Sequence, residues 1–349
     1  MSKLATAQEG SAKIFITPSA KITKKMEVFY NPAMKSNRDL SVALLNAVGK
    51  KDMVMLDLMA GSGVRSIRFL KELGKSLIED FTINDANPHA ISLIKKNLKA
   101  NKIPLKKVKL TKLTADQLLA QGRMYDYIDI DPFGSPNPFL DLSCKHIRNE
   151  GILAVTATDT APLCGARPEA CERKYWSKPS RTAPMHEFAV RILIRKVQLI
   201  AAQYERAAMP ILSVAMQHYV RVWFVMKRGK KKIDALLAQH GEVEGKGPFW
   251  LGSLHEEGLA KKMYPLVPKD LQNMLTTLDA ESKIHSIGLY DIHELSSELR
   301  IGEIPPFAKV MDAIKESGKQ ASRTIFCDTG IRTTATKEEM KRIIKKLVQ

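Results

Sequence analysis

From Arg38 to Thr158 the chain alternates between short apolar runs and segments of helical period. VMLDL (54–58), FTIND (81–85), VKLTKLTA (108–115), YDYIDID (125–131) and GILAVTAT (151–158) read as strands. VRSIRFLKELG, PHAISLIKKNLKAN, ADQLLAQ and PFLDLSCKHIRN lie between them, with apolar residues recurring every three or four positions. Parallel neighbours cannot be joined by a tight turn and need a crossover, which helices supply on both faces of the sheet. The alternation therefore predicts an α/β fold built on a doubly wound, largely parallel sheet.

The flanking segments extend this frame. Residues 1–37 are basic and read as irregular, with Pro18 and Pro32 interrupting short apolar runs. After the long loop APLCGARPEACERKYWSKPSRTAP, a helix is expected near 185–207. ILSVAMQHYVRVWFVMKR then reads as two β runs forming a reversed edge of the same sheet. GKKK at 229–232 marks a change in composition, so the expected domains are 1–229 and a smaller α+β domain at 230–349.

Lys and Arg total 55 against 37 Asp and Glu, a net charge of +18 that favours a polyanionic partner such as RNA or DNA. Cys144, Cys164, Cys171 and Cys327 form no C-x-x-C pair and no compact set with histidine, so neither zinc nor a disulfide framework is expected. No signal-peptide pattern opens the chain, and no run approaches the roughly 18 apolar residues of a membrane span. The expectation is a cytoplasmic protein with no membrane or metal partner and no obligate protein partner.

In doubly wound sheets, ligands bind at the carboxyl ends of the strands. The first strand ends in Asp57-Leu58-Met59-Ala60-Gly61-Ser62-Gly63, where Gly61 and Gly63 allow close approach of the backbone to a ligand. A dinucleotide fingerprint would need a third glycine where this chain has Ser66, which disfavours a pyrophosphate site. Asp85, followed by Ala86, stands at the second strand tip, where an acid accepts hydrogen bonds from two ribose hydroxyls. Asp116 and Gln117 follow the third strand and suit an adenine amino group, and Asp57 suits the ammonium of a methionine moiety. This order of groups points to S-adenosylmethionine. Each acid taken alone also reads as a helix cap or turn residue.

The fourth strand runs into DIDPFGSPNPF. An exocyclic amine on a nucleobase is a poor nucleophile because its lone pair is delocalised into the ring. Methyl transfer to it needs an acceptor that orients the nitrogen and takes up its proton. Asp131 is that acceptor in this reading, the Pro132 carbonyl a second one, and Phe133 a stacking face. A plain Pro-induced turn with a buried Phe133 is the competing reading.

VFYNPAMKSNRDLS (28–41), LDLMAGSGVRSIRF (56–69), NDANPHA (84–90), DIDPFGSP (129–136), TATDTAPLCG (156–165) and SRTIFCDTGIRTTA (322–335) together resemble the tRNA (guanine-N2)-dimethyltransferases that modify guanosine 26. The resemblance implies a Rossmann-like class I methyltransferase sheet, S-adenosylmethionine as cofactor and tRNA as substrate. It further implies that Phe29 is a second ring opposite Phe133, that Arg38 and Arg65 meet the donor's carboxylate, and that Asp131 is catalytic. Asp85 then serves the ribose, and Asp116 and Gln117 the adenine. GEVEGKGPFWLG (241–252) lacks the cysteines that many relatives carry before the Gly-Pro-aromatic-Trp segment, so their zinc is not carried over. Lys21, Lys24, Lys25, Arg167, Arg173, Lys174 and the 227–232 run KRGKKK are candidate phosphate contacts. The alternatives are an amino methyltransferase for rRNA guanine-N2 or DNA adenine-N6, and a non-catalytic RNA-binding protein.

Overall fold

A β-hairpin, β1 (Ala5–Glu9) and β2 (Ala12–Ile16), begins the computed structural model, which describes residues 4–18, 26–216 and 218–348. It turns through Gly10 at φ +53, where a Cβ would fall 2.3 Å from Glu72 Oε1. The opening segment is thus ordered in part, contrary to the irregular reading. Its signal is weak because β2 buries only Ala12 and Ile14, while the one buried residue of β1 is the charged Glu9.

Helix α1 (Lys35–Val48) ends on Gly49 at φ +65, whose N–H donates to the Leu45 carbonyl. The alternating series follows: β3 (Met53–Asp57), α2 (Val64–Glu72), β4 (Ile78–Asn84), α3 (Pro88–Ala100), β5 (Lys109–Thr111), α4 (Ala115–Leu119) and β6 (Tyr125–Ile130). Local chemistry sets these boundaries. Asn87 caps α3 by accepting from the His89 N–H, with Pro88 in the first turn where its missing donor costs nothing. Thr114 and Gln117 form a reciprocal capping box at the start of α4.

Then come α5 (Asn137–His146), β7 (Ile147–Ala157), α6 (Thr160–Leu163), α7 (Pro168–Tyr175), α8 (Met185–Ala202), β8 (Arg206–Met216) and β9 (Tyr219–Arg228). Two boundaries differ from the sequence reading. The strand starts at the buried, β-branched Ile147 and includes residues first assigned to the preceding helix. The long helix stops at Ala202, and Glu205 turns the chain at φ +53 into β8.

The seven strands lie in the order β5-β4-β3-β6-β7-β9-β8. β9 pairs antiparallel with both β7 and β8, so the reversed strand lies inside the sheet and β8 is the edge. β3 and β6 are buried along their whole lengths, as expected for parallel strands covered on both faces. Val54 and Leu56 face one core with α4, α5 and α8, while Met53 and Met55 face the other with α1, α2 and α3.

Beyond the sheet, α9 (Lys230–Leu237), β10 (His240–Val243) and β11 (Lys246–Trp250) add Ile233, Leu236, Phe249 and Trp250 to the first core. Helices α10 (Leu259–Met263) and α11 (Lys269–Glu281) add Leu259, Met263, Leu271 and Leu275 to the second. A separate small core is built by β12 (Tyr290–Asp291), α12 (Ile292–Glu298), α13 (Phe307–Glu316), β13 (Ala321–Arg323), β14 (Gly330–Thr333) and α14 (Lys337–Val348). Arg332 on β14 ties this unit to the rest, pairing with Glu187 of α8 at 2.8 Å and with Glu281 at 3.1 Å. Arg191 adds a second cation on Glu187, 2.7 Å away. These ion pairs border a cavity of about 350 Å³ that lies apart from the strand ends. Among the described residues, no helix is long and apolar enough to cross a membrane.

Candidate active site

The carboxyl ends of β3, β4 and β6 meet where the chain's winding changes direction, the position at which such sheets bind ligands. The turn after β3 is held on three sides. Asp85 Oδ2 accepts the Gly61 N–H at 2.7 Å, the Phe29 carbonyl accepts the Ser62 N–H at 3.2 Å, and Asn97 Nδ2 donates to the Ser62 carbonyl at 2.9 Å. Gly61 lies at φ +54, and a Cβ there would sit 3.0 Å from the Phe29 carbonyl oxygen. Gly63, at φ +76, begins α2 and gives its first-turn N–H groups no side-chain cap. Ala86 is exposed beside the partly buried Asp85.

Asp57 and Asp129 are cross-strand neighbours on β3 and β6, and Asp131 follows two residues later. Arg65, on the first turn of α2, is ion-paired with Asp131 and lies 3.4 Å from Asp129, while its Nη1 donates to Ser41 Oγ at 3.1 Å. Arg221 of β9 donates to Asp129 at 2.7 and 3.2 Å and to Thr156 Oγ1 at 2.6 Å, and Tyr127 donates to Asp129 Oδ2 at 2.5 Å. Burial pushes the Asp129 carboxyl up, but Arg221 and Arg65 more than offset this and hold it below the usual range. Asp57 has only the Ser66 hydroxyl, at 2.6 Å, as a side-chain hydrogen-bond donor; burial and then Asp129 push its carboxyl up to about 7. Three carboxylates thus face two guanidiniums, and a ligand carrying an ammonium or sulfonium charge would correct the imbalance.

Phe29 and Phe133 touch, with ring centroids 4.2 Å apart and planes at 70°. Phe133 is 39% exposed, so the reading of it as a core residue after a simple turn fails, whereas Pro132 is buried. The loop carrying Phe133 is fixed from behind. The Gly134 N–H donates to Thr158 Oγ1 at 2.6 Å, and Ser135 Oγ shares a hydrogen bond of 3.0 Å with the Tyr175 hydroxyl, which donates to Asp159 at 2.6 Å.

Other expected residues stand further from this cluster or are otherwise engaged. Arg38 is buried and donates twice to Glu9, each bond 2.6 Å, and once to the Asn31 carbonyl. Gln117 spends its side-chain oxygen on the Thr114 N–H, and Asp116 is exposed at the start of α4. Lys21, Lys24 and Lys25 lie outside the described residues. Arg167, Arg173 and Lys174 are exposed on or beside α7. The 227–232 run lies at the opposite end of the sheet, since Met226 pairs with Gly151 at the start of the straight part of β7. It does not border the Asp131 loop. Ser41, Tyr127, Asp129, Thr156 and Arg221 were not singled out from the sequence. The one available signal was Asp129, one of two acids with Asp126 in a strand whose other residues are apolar or aromatic, since a buried charge must find a partner.

A seven-stranded sheet of this order with one reversed strand is that of the class I methyltransferases. The profile of the family described as N2,N2-dimethylguanosine tRNA methyltransferase matches residues 9–245 and 239–345. The chain belongs to that family. It is 35% identical to a tRNA (guanine(26)-N(2))-dimethyltransferase of Pyrococcus horikoshii, over 99% of both chains. It is 34% identical to a tRNA (guanine(26)-N(2)/guanine(27)-N(2))-dimethyltransferase of Aquifex aeolicus, over 97% of this chain and 95% of that relative. Its structure resembles that of Trm1 from Pyrococcus horikoshii in complex with S-adenosyl-L-methionine, with a TM-score of 0.88, 32% identity, and coverage of 98% of this chain and 100% of that one.

Proposed function

We propose that this protein dimethylates the exocyclic N2 of guanosine 26 in tRNA. The observation that carries this reading is Asp131 just past β6, paired with Arg65 and followed two residues on by Phe133, whose ring meets that of Phe29, in a chain of this family. S-adenosylmethionine, when bound, supplies an electrophilic methyl group. Asp57 suits its ammonium, Arg65 and the first turn of α2 its carboxylate, Asp85 its ribose, and the Ala115–Gln117 turn its adenine. Arg38 serves the same carboxylate end only by sharing a guanidinium that Glu9 already holds.

Asp131 would accept an N2–H bond, which orients the nitrogen for methylation, and would take up the proton that N2 gives up. A monomethylated nitrogen keeps one hydrogen, so the same acceptor serves a second transfer. Phe29 and Phe133 clamp the guanine after it leaves its stack, a step that costs a few kcal/mol. A base between two rings needs about 7 Å, twice a carbon–carbon contact. The rings, with centroids 4.2 Å apart, must therefore part for the base to enter. The part up to residue 229 is taken to perform transfer and the part from 230 to hold tRNA, its first segment packed on the main cores and its last, 290–348, on a core of its own, in a cytoplasmic enzyme that works without an obligate protein partner.

Incubation of an unmodified tRNA transcript with the methyl donor, followed by nucleoside mass spectrometry, tests the reading. N2,N2-dimethylguanosine is expected, and it should be absent with Asp131→Asn and with adenosine at position 26. Methylation at another atom, or full activity in Asp131→Asn, overturns it.

A further inference from the structure

Trp176 is the only tryptophan of the three on the surface: it is 48% exposed, whereas Trp223 and Trp250 are buried. It ends α7 in the left-handed region at φ 58, a conformation that bulky side chains rarely adopt and that persists only when the surroundings enforce it. Those surroundings are visible. The Trp176 N–H donates to the Glu172 carbonyl, and Arg195 donates to the Trp176 carbonyl at 2.9 Å. The Lys196 ammonium lies 2.9 Å from the ring centroid, which fixes the indole and occupies one of its faces.

This ring is coupled to the catalytic loop. Its neighbour Tyr175 shares a hydrogen bond with Ser135, and Asn137 Nδ2 donates to the Lys174 carbonyl at 2.7 Å, so the end of α7 is tied to the loop after Phe133. From 167 to 181 the chain carries Arg167, Arg173, Lys174, Lys178 and Arg181 against Glu169 and Glu172, a locally basic surface. An exposed aromatic face among cations is the chemistry that binds unpaired nucleobases and their phosphates.

Resting on the reading that the substrate is tRNA, we propose that Trp176 stacks on a nucleobase next to the extruded guanosine. Arg173, Lys178 and Arg181 hold the adjoining phosphates. Extrusion strips the neighbouring base of a stacking partner, and the indole face opposite Lys196 replaces it.

Trp223 and Trp250 also emit but are buried beyond the reach of a stacking base, so a quench of tryptophan emission by contact with a base reports on Trp176. Titration with an unmodified tRNA transcript is expected to quench it, and Trp176→Phe to abolish the quench while keeping most of the affinity. Trp176→Ala is expected to bind tRNA at least about fivefold more weakly, the lower end of what loss of one stacked base brings. Donor affinity should be unchanged, which separates a lost tRNA contact from a damaged donor site. Unaltered tRNA affinity in Trp176→Ala overturns the inference alone, provided the wild type dimethylates guanosine 26. A wild type that does not do so overturns the functional reading instead. A quench that persists in Trp176→Phe also defeats the inference.

Discussion

Arg65 and Asp131 form an ion pair across the carboxyl edge of the sheet, joining the first turn of α2 to the loop after β6. The same guanidinium faces Asp129, and Asp129 and Asp131 hold it firmly protonated against the opposing effect of burial. Arg65→Met leaves buried carboxylates without this cation, a change that costs about 3–5 kcal/mol when one partner of a buried pair is removed. Urea denaturation should show a loss of that order, with methylation abolished. Wild-type stability in the variant would show that Arg221 alone balances Asp129.

The contact between Phe29 and Phe133 predicts a coupled effect on tRNA. Each Phe→Ala change should weaken tRNA binding by about 1–3 kcal/mol, the worth of one stacked base, with donor affinity kept. If one guanine lies between both rings, the double variant loses less than the sum of the singles. Strict additivity in a double-mutant cycle would place the base against one ring only.

Asp57 sets a pH dependence of stability. Its carboxyl is raised from 3.8 to about 7 in the fold, so between these values the native state binds a proton that the unfolded chain has released. Its contribution is complete below about pH 3.8 and is lost as pH rises through about 7. Asp57→Asn cannot ionise. Its stability minus that of the wild type should therefore grow by a few kcal/mol, about 4 at most, as denaturant curves are taken from acid to pH 8. A pH-independent difference would mean that Asp57 titrates normally.

Arg332 bridges the C-terminal unit to α8. Burial raises the Glu187 carboxyl, but Arg332 and then Arg191 outweigh this and hold it down at about 2. Arg332→Met removes the cation shared by Glu187 and Glu281 and should cost about 3–5 kcal/mol. Hydrogen exchange should show protection falling first in residues 290–348. Loss confined to the central sheet would contradict this.

The frame of the molecule was legible because alternation of apolar period is a local property. VMLDL and YDYIDID carried enough pattern to place β3 and β6 within a residue or two. The acidic tips and the Asp131-Pro132-Phe133 loop were legible for the same reason. The partners of buried charges were not. Glu187 meets Arg332 only because the last unit folds back on α8, and no window of sequence contains both. Gln117 is a different case: the T-x-x-Q pattern of a capping box stands at 114–117, and that cap holds the side-chain oxygen expected at the adenine. The hairpin at the start was hidden because its inward acid is satisfied by Arg38 and Arg68, far along the chain.

Phe29 belongs to two places at once. Its carbonyl accepts the Ser62 N–H of the glycine turn, and its ring closes on Phe133. A single peptide therefore links the proposed seat of the methyl donor with the two rings proposed to hold the base. Whatever free energy the filled donor seat lends to gripping tRNA, a gripped tRNA returns to the donor in equal measure. The two substrates of this enzyme should accordingly be read as one another's effectors.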